Sequence, residues 1–343
     1  MVNSLLYVYD TAIPDVFNEH IRNHREYRSP DIFYANTIVP VTFHILFFVT
    51  GVISSLFILS VQFLDWLKTH QLGPVDLIIV FIGFVNLLLQ GSFAFNEICS
   101  FLFVEFYVQV QIVNSLAVIM TSLTFSSLWC STTLCFYYYV KIINLNGTIF
   151  YKMKSKLPVI VPCLLIFSVV VSWSAGLPSY WDIYRQSPYA TDNATYISTI
   201  DLDFKSKCNC MFYVYMTQSA MAFTIILFTA GAIIKSLLKH MAQMKKNNEG
   251  FGNTRISAHI SAARTVTSLL VLYLIFYGAQ TVIFNKTQDV WSVIFLASFI
   301  LVSSFPTANA IILIFGNRKL SNKLRYVLGV KSISGDSKVS VIS

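Results

Sequence analysis

The chain has 343 residues, of which 55% are hydrophobic and only 12% charged, and its formal net charge is +8. A soluble domain carries about 25% charged residues, so this chain has more apolar side chains than one aqueous core can hide. In so apolar a chain a surplus of lysine and arginine reports membrane topology, and nucleic-acid binding is not expected.

Residues 1–37 carry Asp10, Asp15, Glu19, Arg22, Arg25, Glu26, Arg28 and Asp31. They lack the apolar centre of a signal peptide and are expected to form a polar extracellular tail. Seven apolar segments follow, at 38–64, 75–95, 108–140, 157–177, 211–238, 266–284 and 290–315. Each is at or near the ~20 residues that a helix needs to cross ~30 Å of hydrocarbon, and the ~10-residue alternation of a β-barrel is missing. The expected fold is an all-α membrane protein, a seven-transmembrane helix bundle over residues 38–317.

Placing the N-terminus outside and the C-terminus inside puts 17 of the 24 lysines and arginines in cytoplasmic segments and seven in outer ones, as the positive-inside rule requires. Two glycosylation sequons then fall outside, at Asn193 and Asn285, while the one at Asn146 falls inside. Residues 318–343 open with RKLSNKLRYVLGV, in which Leu320, Leu324, Val327 and Leu328 share a helical face flanked by Arg318, Lys319, Lys323 and Arg325. This spacing predicts a short amphipathic helix on the inner membrane surface, followed by a cytoplasmic tail.

The spans hold little reactive chemistry. There is no HExxH, no GxSxG and no pair of intramembrane aspartates, so no enzyme is expected. Asp76 opens the second span, where a carboxylate favours the positive end of a helix. Only His44 lies deep in a span, which argues against an ion-coupled transporter. The six cysteines have no zinc-site spacing, and no metal or cofactor is expected. A bridge from Cys99 to Cys208 or Cys210 is left open.

Five strings carry a resemblance. They are SSLFILSVQFLDWLKTHQLGPVDLIIVF, LWCSTTLCFYYYVKIINL, SLLKHMAQM, AHISAARTVTSLLVLY and FPTANAIILIFGNRKLSNKL. Within them Asp65, Trp66, Lys68, Asp76, Leu128, Trp129, Tyr138, Lys141 and Asn144 match a set of patterns in order, each at an inner helix end. The sequence resembles the taste receptor type 2 family of G-protein-coupled receptors, the bitter receptors. The resemblance implies a plasma-membrane receptor that binds small, mostly apolar bitter agonists and activates a gustducin-like heterotrimeric G protein. A vomeronasal type 1-like receptor is the nearest alternative, and a small-solute transporter or channel a more distant one. The chain departs from the family pattern at Asn86, where the family has arginine, and at Asn309 and Ala310, where it has a His-Ser pair. Met120 and Thr124 replace its tryptophan and asparagine.

For a ligand site, Ala117, Met120, Thr121, Thr124 and Phe125 recur at helical spacing along one face of the third span. The family pocket implies Phe276 and Gln280 on the sixth span and Phe299 and Val302 on the seventh, and Gln218 on the fifth adds an amide. The set contains no carboxylate, so recognition of an amine by a salt bridge is not expected. For G-protein coupling the resemblance points to Tyr138, Lys141, His240, Met244 and Arg264. For a switch, Pro306 removes a backbone donor from the seventh span, and Asn86 and Asn309 are expected to hydrogen-bond each other in the middle of the bundle.

Overall fold

The computed structural model describes residues 30–107, 109–143, 148–185, 204–206, 210–246, 254–284 and 293–329. Seven of its helices are long and apolar enough to cross a membrane. In chain order these are α1 (Pro30–Thr69), α2 (Pro74–Leu102), α4 (Val110–Ile142), α6 (Leu157–Gly176), α8 (Cys210–Lys246), α9 (Thr254–Phe284) and α10 (Val293–Gly316). Between them lie the short helices α3 (Val104–Tyr107), α5 (Thr148–Ser155) and α7 (Ser179–Asp182), and after them α11 (Arg318–Val327). A two-stranded antiparallel pair, β1 (Ile183–Arg185) with β2 (Phe204–Ser206), joins α7 to the segment before α8.

The helix ends follow local chemistry. The first helix begins at Pro30, ahead of the apolar run, because proline at a helix start is preset in φ and lacks only an N–H that would be unpaired anyway. His70 closes it in the left-handed conformation (φ 51°), its N–H on the Trp66 carbonyl at 2.7 Å. Pro74 starts α2 four residues later, so α1 and α2 are antiparallel neighbours. The second helix runs past the expected Phe95 to Leu102, and therefore includes Glu97.

Packing runs α1–α2–α4–α8–α9–α10 and closes on α1, with α6 outside against α4 and α2. The fourth helix is buried along most of its length. Its middle reads SSLWCSTT, and such small side chains let helices approach closely where lipid offers no hydrophobic drive. The bulky core side chains sit around it, among them Ile78, Ile82, Leu134, Ile226 and Ile233, all buried. Large apolar residues face outward on every span, for example Phe63, Ile166, Phe228 and Leu274, as expected for helices in lipid.

The turn after α1, the ends of α4, α8 and α10, and α11 all lie at one end of the bundle, here called the lysine-rich end. There α11 docks as a tight turn beyond Gly316. Its N-cap Asn317 accepts from the Lys319 and Leu320 backbone N–H groups at 2.9 and 3.3 Å. Leu320 is fully buried and Leu324 packs on the core, while Val327 and Leu328 are exposed. The apolar face expected from spacing is thus anchored in the bundle at its first turns only.

Candidate functional site

Three polar assemblies stand at different depths of the bundle. The deepest joins α2, α4 and α10. The Ser127 hydroxyl donates to Asn86 Oδ1 at 2.7 Å, and Asn309 Nδ2 donates to the oxygens of Ser127 at 3.1 Å and Ser131 at 3.2 Å. Asn86 and Asn309 are both fully buried. The direct bond expected between them is not formed, because Ser127 stands between the two amides and uses its hydroxyl in both directions. Pro306, one turn before Asn309, is buried within α10. Nearby, Thr307 donates to the Phe47 carbonyl of α1 at 2.8 Å.

At the lysine-rich end a second assembly clasps α1, α2 and α11. Lys319 Nζ reaches Asp65 at 2.9 Å, Asp76 at 3.4 Å and Gln62 Oε1 at 2.7 Å. Gln62 Nε2 in turn donates to Asp76 Oδ1 at 3.1 Å. Each charge is partly exposed, so each pair contributes only about 0.2–1 kcal/mol. Lys319→Met is expected to lower the apparent melting temperature by about 2–4 °C, for a loss of about 1 kcal/mol, and to increase proteolytic release of α11. The charge exchange Asp65→Lys with Lys319→Asp should restore part of the loss. If Lys319→Met melts like the wild type, the clasp is ornamental.

The third assembly lies toward the opposite end. His44 Nδ1 and Glu97 Oε1 are 3.0 Å apart, joining α1 to α2. The His44 ring lies 5.0 Å from that of Phe299 on α10. His44 thus stands between the Glu97 carboxylate and the Phe299 ring, a candidate ligand residue. Just beyond α2, burial pushes the Tyr107 phenol above its usual range, and the Glu97 and Cys99 charges add to the shift. Its hydroxyl meets Asn96 Oδ1 at 3.4 Å. Cys99 is a free, buried thiol.

The candidate ligand residues divide by what they touch. Ala117, Met120 and Thr121 are half-buried along α4. Thr124 is buried and turns its hydroxyl back to the Met120 carbonyl at 2.7 Å. Phe125 packs on Tyr215 of α8 with ring centroids 4.9 Å apart. Gln218 is engaged across the same interface, accepting from the Trp129 indole N–H at 3.1 Å. Phe276 stacks on Phe305 at 4.4 Å, and Phe305 also meets Tyr273 at 5.6 Å. Gln280 is buried with an unpartnered Oε1, and Val302 packs against the core. Phe299 turns to α1 through His44. The α4–α8 pair and the α9–α10 pair are thus internally connected. An apolar groove of about 430 Å³ between the lysine-rich ends of α1 and α2, lined by Leu59, Phe63, Trp66, Leu72 and Val80, includes none of these residues.

Of the candidate coupling residues, Tyr138 is half-buried, edge-on to Tyr137 at 5.8 Å. Lys141 donates to the Tyr137 hydroxyl at 3.1 Å, over its ring. Arg264 is exposed on α9. His240 and Met244 fall within α8, with side chains outside the described residues. Asn193 and Asn285 also lie outside the described residues. Beside Arg264, the Ser261 hydroxyl donates to the Gly316 carbonyl at 2.8 Å and ties α9 to the end of α10.

The sequence profile of the taste receptor protein (TAS2R) family matches residues 34–332. That range takes in all seven spans, the polar node, the clasp and α11. The chain belongs to the taste receptor type 2 family. It is 25% identical over 285 residues to taste receptor type 2 member 40 of Gallus gallus, covering 81% of this chain and 92% of that protein. It is 25% identical over 288 residues to taste receptor type 2 member 2 of Homo sapiens, covering 83% and 93%. Taste receptor type 2 member 39 of Homo sapiens is 24% identical over 276 residues, covering 79% and 80%. This receptor is therefore a multi-pass, seven-helix G-protein-coupled receptor and not an enzyme. The matches cover between 80% and 93% of these relatives' own lengths.

Proposed function

We propose that this receptor detects small, mostly apolar bitter molecules at the plasma membrane and activates a gustducin-like heterotrimeric G protein. The ligand enters from the extracellular side, among the halves of α4, α8, α9 and α10 remote from the lysine-rich end. It meets a mainly aromatic and aliphatic surface in which Met120 adapts to shape and Gln280 offers an open amide oxygen. The observation that carries this reading is the Asn86–Ser127–Asn309 node. It lies within about three turns along α4 and α10 of the candidate ligand residues on those helices, and joins three helices through one hydroxyl. A ligand that binds one arrangement of that node better than another shifts the population between them.

The lysine-rich end is then cytoplasmic. Tyr138, Lys141, His240, Met244 and Arg264 meet the G protein as the end of α9 moves outward. Asn193 and Asn285 carry glycans on outer loops. Enzymatic deglycosylation should increase the gel mobility of the wild type and leave Asn193→Gln/Asn285→Gln unchanged, and an unshifted wild type would oppose this orientation.

The test of function is a calcium assay in cells expressing the receptor with a gustducin-like chimeric Gα, screened with a panel of bitter compounds. At least one compound should evoke a signal that requires both receptor and chimera. A signal that persists without the chimera would reject coupling of this kind.

A further inference from the structure

The groove of about 430 Å³ between the lysine-rich ends of α1 and α2 shares no residue with the candidate ligand or coupling sets. Local sequence explains its shape. Leu59, Phe63, Trp66 and His70 recur at spacings of four, three and four, so they share one face of α1. Their rings form a ladder. Phe63 stacks on Trp66 with centroids 5.9 Å apart and planes at 29°, and Trp66 meets His70 edge-on at 6.1 Å. His70 keeps that place at φ 51°, a left-handed conformation that a residue with a Cβ holds only when its surroundings fix it. Val80 of α2 supplies a second wall, and Leu72 of the turn stands at the lysine-rich end.

Apolar exposure is ordinary on a membrane span. A concave hollow is not, because whatever lies beside the helices must fill it or forfeit contacts to a void. Phe63 and Trp66 are 57% and 40% exposed, so the ladder faces the bilayer and not the core. The polar group at its floor is already engaged. Gln62 is buried, donates to Asp76 Oδ1 and accepts from Lys319 Nζ. The groove therefore suits a membrane component with a long apolar body.

Charge and shape decide which component. A phosphate headgroup needs a free cation. The clasp behind the groove has one ammonium and two carboxylates, and Lys319 is bound to both. Lys68 lies about 200° round α1 from Trp66, at 3.6 residues per turn. An anionic headgroup would thus meet the carboxylate side of the clasp. A single hydroxyl fits better, since the Trp66 indole N–H donates and the neutral His70 ring both donates and accepts. The apolar wall from Leu59 to Trp66 runs for about 10 Å at ~1.5 Å per residue, and its rings and branched side chains make it broad and flat. A flexible acyl chain loses rotamer freedom when it settles there, whereas a rigid fused-ring body has little to lose.

We propose that the α1–α2 groove binds a membrane sterol, with its ring system against Phe63 and Trp66 and its hydroxyl at Trp66 and His70. The bound sterol covers Gln62, whose amide oxygen holds Lys319 of α11. It therefore backs the clasp, and the sterol content of the membrane sets how firmly α11 is held.

Photolabelling of the purified receptor in phosphatidylcholine nanodiscs tests this, with a diazirine analogue of cholesterol and mass spectrometry of the labelled peptides. Labelling should concentrate on residues 59–80. About a tenfold excess of unlabelled cholesterol should lower it about tenfold, by mass action. Cholesterol should also raise the melting temperature of the wild type. Val80→Trp fills the groove, so labelling of this segment should fall to that of the other spans and the thermal shift should vanish. Label spread evenly over the spans, or labelling of residues 59–80 undiminished by unlabelled cholesterol, would overturn the proposal, and neither comparison needs a variant to fold. A diazirine phosphatidylcholine that labels the groove and resists displacement by cholesterol would assign it to an acyl chain instead.

Discussion

Gly316→Ala should raise ligand-independent signalling. Gly316 ends α10 with no side chain, and the space where a methyl would stand is already taken by Thr265 of α9. The added carbon would lie against Thr265 Oγ1 and 2.9 Å from its Cβ and Cγ2. Thr265 is buried and β-branched, with its own hydroxyl on the Ser261 carbonyl at 2.9 Å, so it has little room to rotate. The helix must yield instead, and α9 is displaced from α10 at the lysine-rich end, with the Ser261–Gly316 hydrogen bond stretched. Overpacking of this kind costs about 1–3 kcal/mol. Expressed wholly against the closed arrangement, that shifts the closed-to-open ratio by about 5- to 150-fold. The check is basal calcium or inositol phosphate output at matched surface expression. The double change Gly316→Ala/Thr265→Ala removes the clash and should return basal output toward the wild type. A basal signal unchanged by Gly316→Ala at normal surface expression would show that this contact does not hold α9 closed.

Ser127→Ala should cost more stability than its single missing oxygen suggests. It leaves Asn86 Oδ1 without its donor and takes one of two acceptors from Asn309 Nδ2. Interhelical hydrogen bonds in membranes contribute about 0.6–2 kcal/mol each, so the loss is about 2 kcal/mol. That corresponds to an apparent melting temperature lowered by about 4–8 °C for a domain of this size. Ser127→Thr keeps the hydroxyl and should recover at least half of the difference. Coupling adds a second readout: with the link between α2 and α10 gone, agonist potency should fall while surface expression in the cold is retained. If Ser127→Ala melts with the wild type, the bridge is not a structural link.

Much of this architecture is legible in the residues, for a physical reason. Spanning a bilayer demands long uninterrupted apolar runs, and seven such runs stand out in the sequence. The surface helix is legible for the same reason, since Leu320 and Leu324 repeat at four-residue spacing between cations. The joints are not. Ser127 is one of many serines and threonines in α4, and nothing in its neighbours marks it as the hydroxyl that two asparagines share. Asn86 and Asn309 stand out because they are amides in apolar runs, but their spacing in sequence carries no information about what lies between them. Glu97 falls beyond the end of the apolar run at Phe95, although α2 continues to Leu102. Its pairing with His44 depends on that extra turn. Asp65, Asp76 and Lys319 are visible as parts of motifs. Their meeting requires the chain to return to its beginning after seven spans, which no local pattern encodes.

The proposed function requires that a ligand bound near one end of this bundle changes what the lysine-rich end offers to a G protein. Its most direct test is nucleotide exchange on a purified gustducin-like heterotrimer by the purified receptor in nanodiscs, with and without a compound found active in cells. The compound should accelerate GTP uptake by Gα in a receptor-dependent way. Absence of exchange at saturating compound, together with solute flux through the same protein in liposomes, would contradict it.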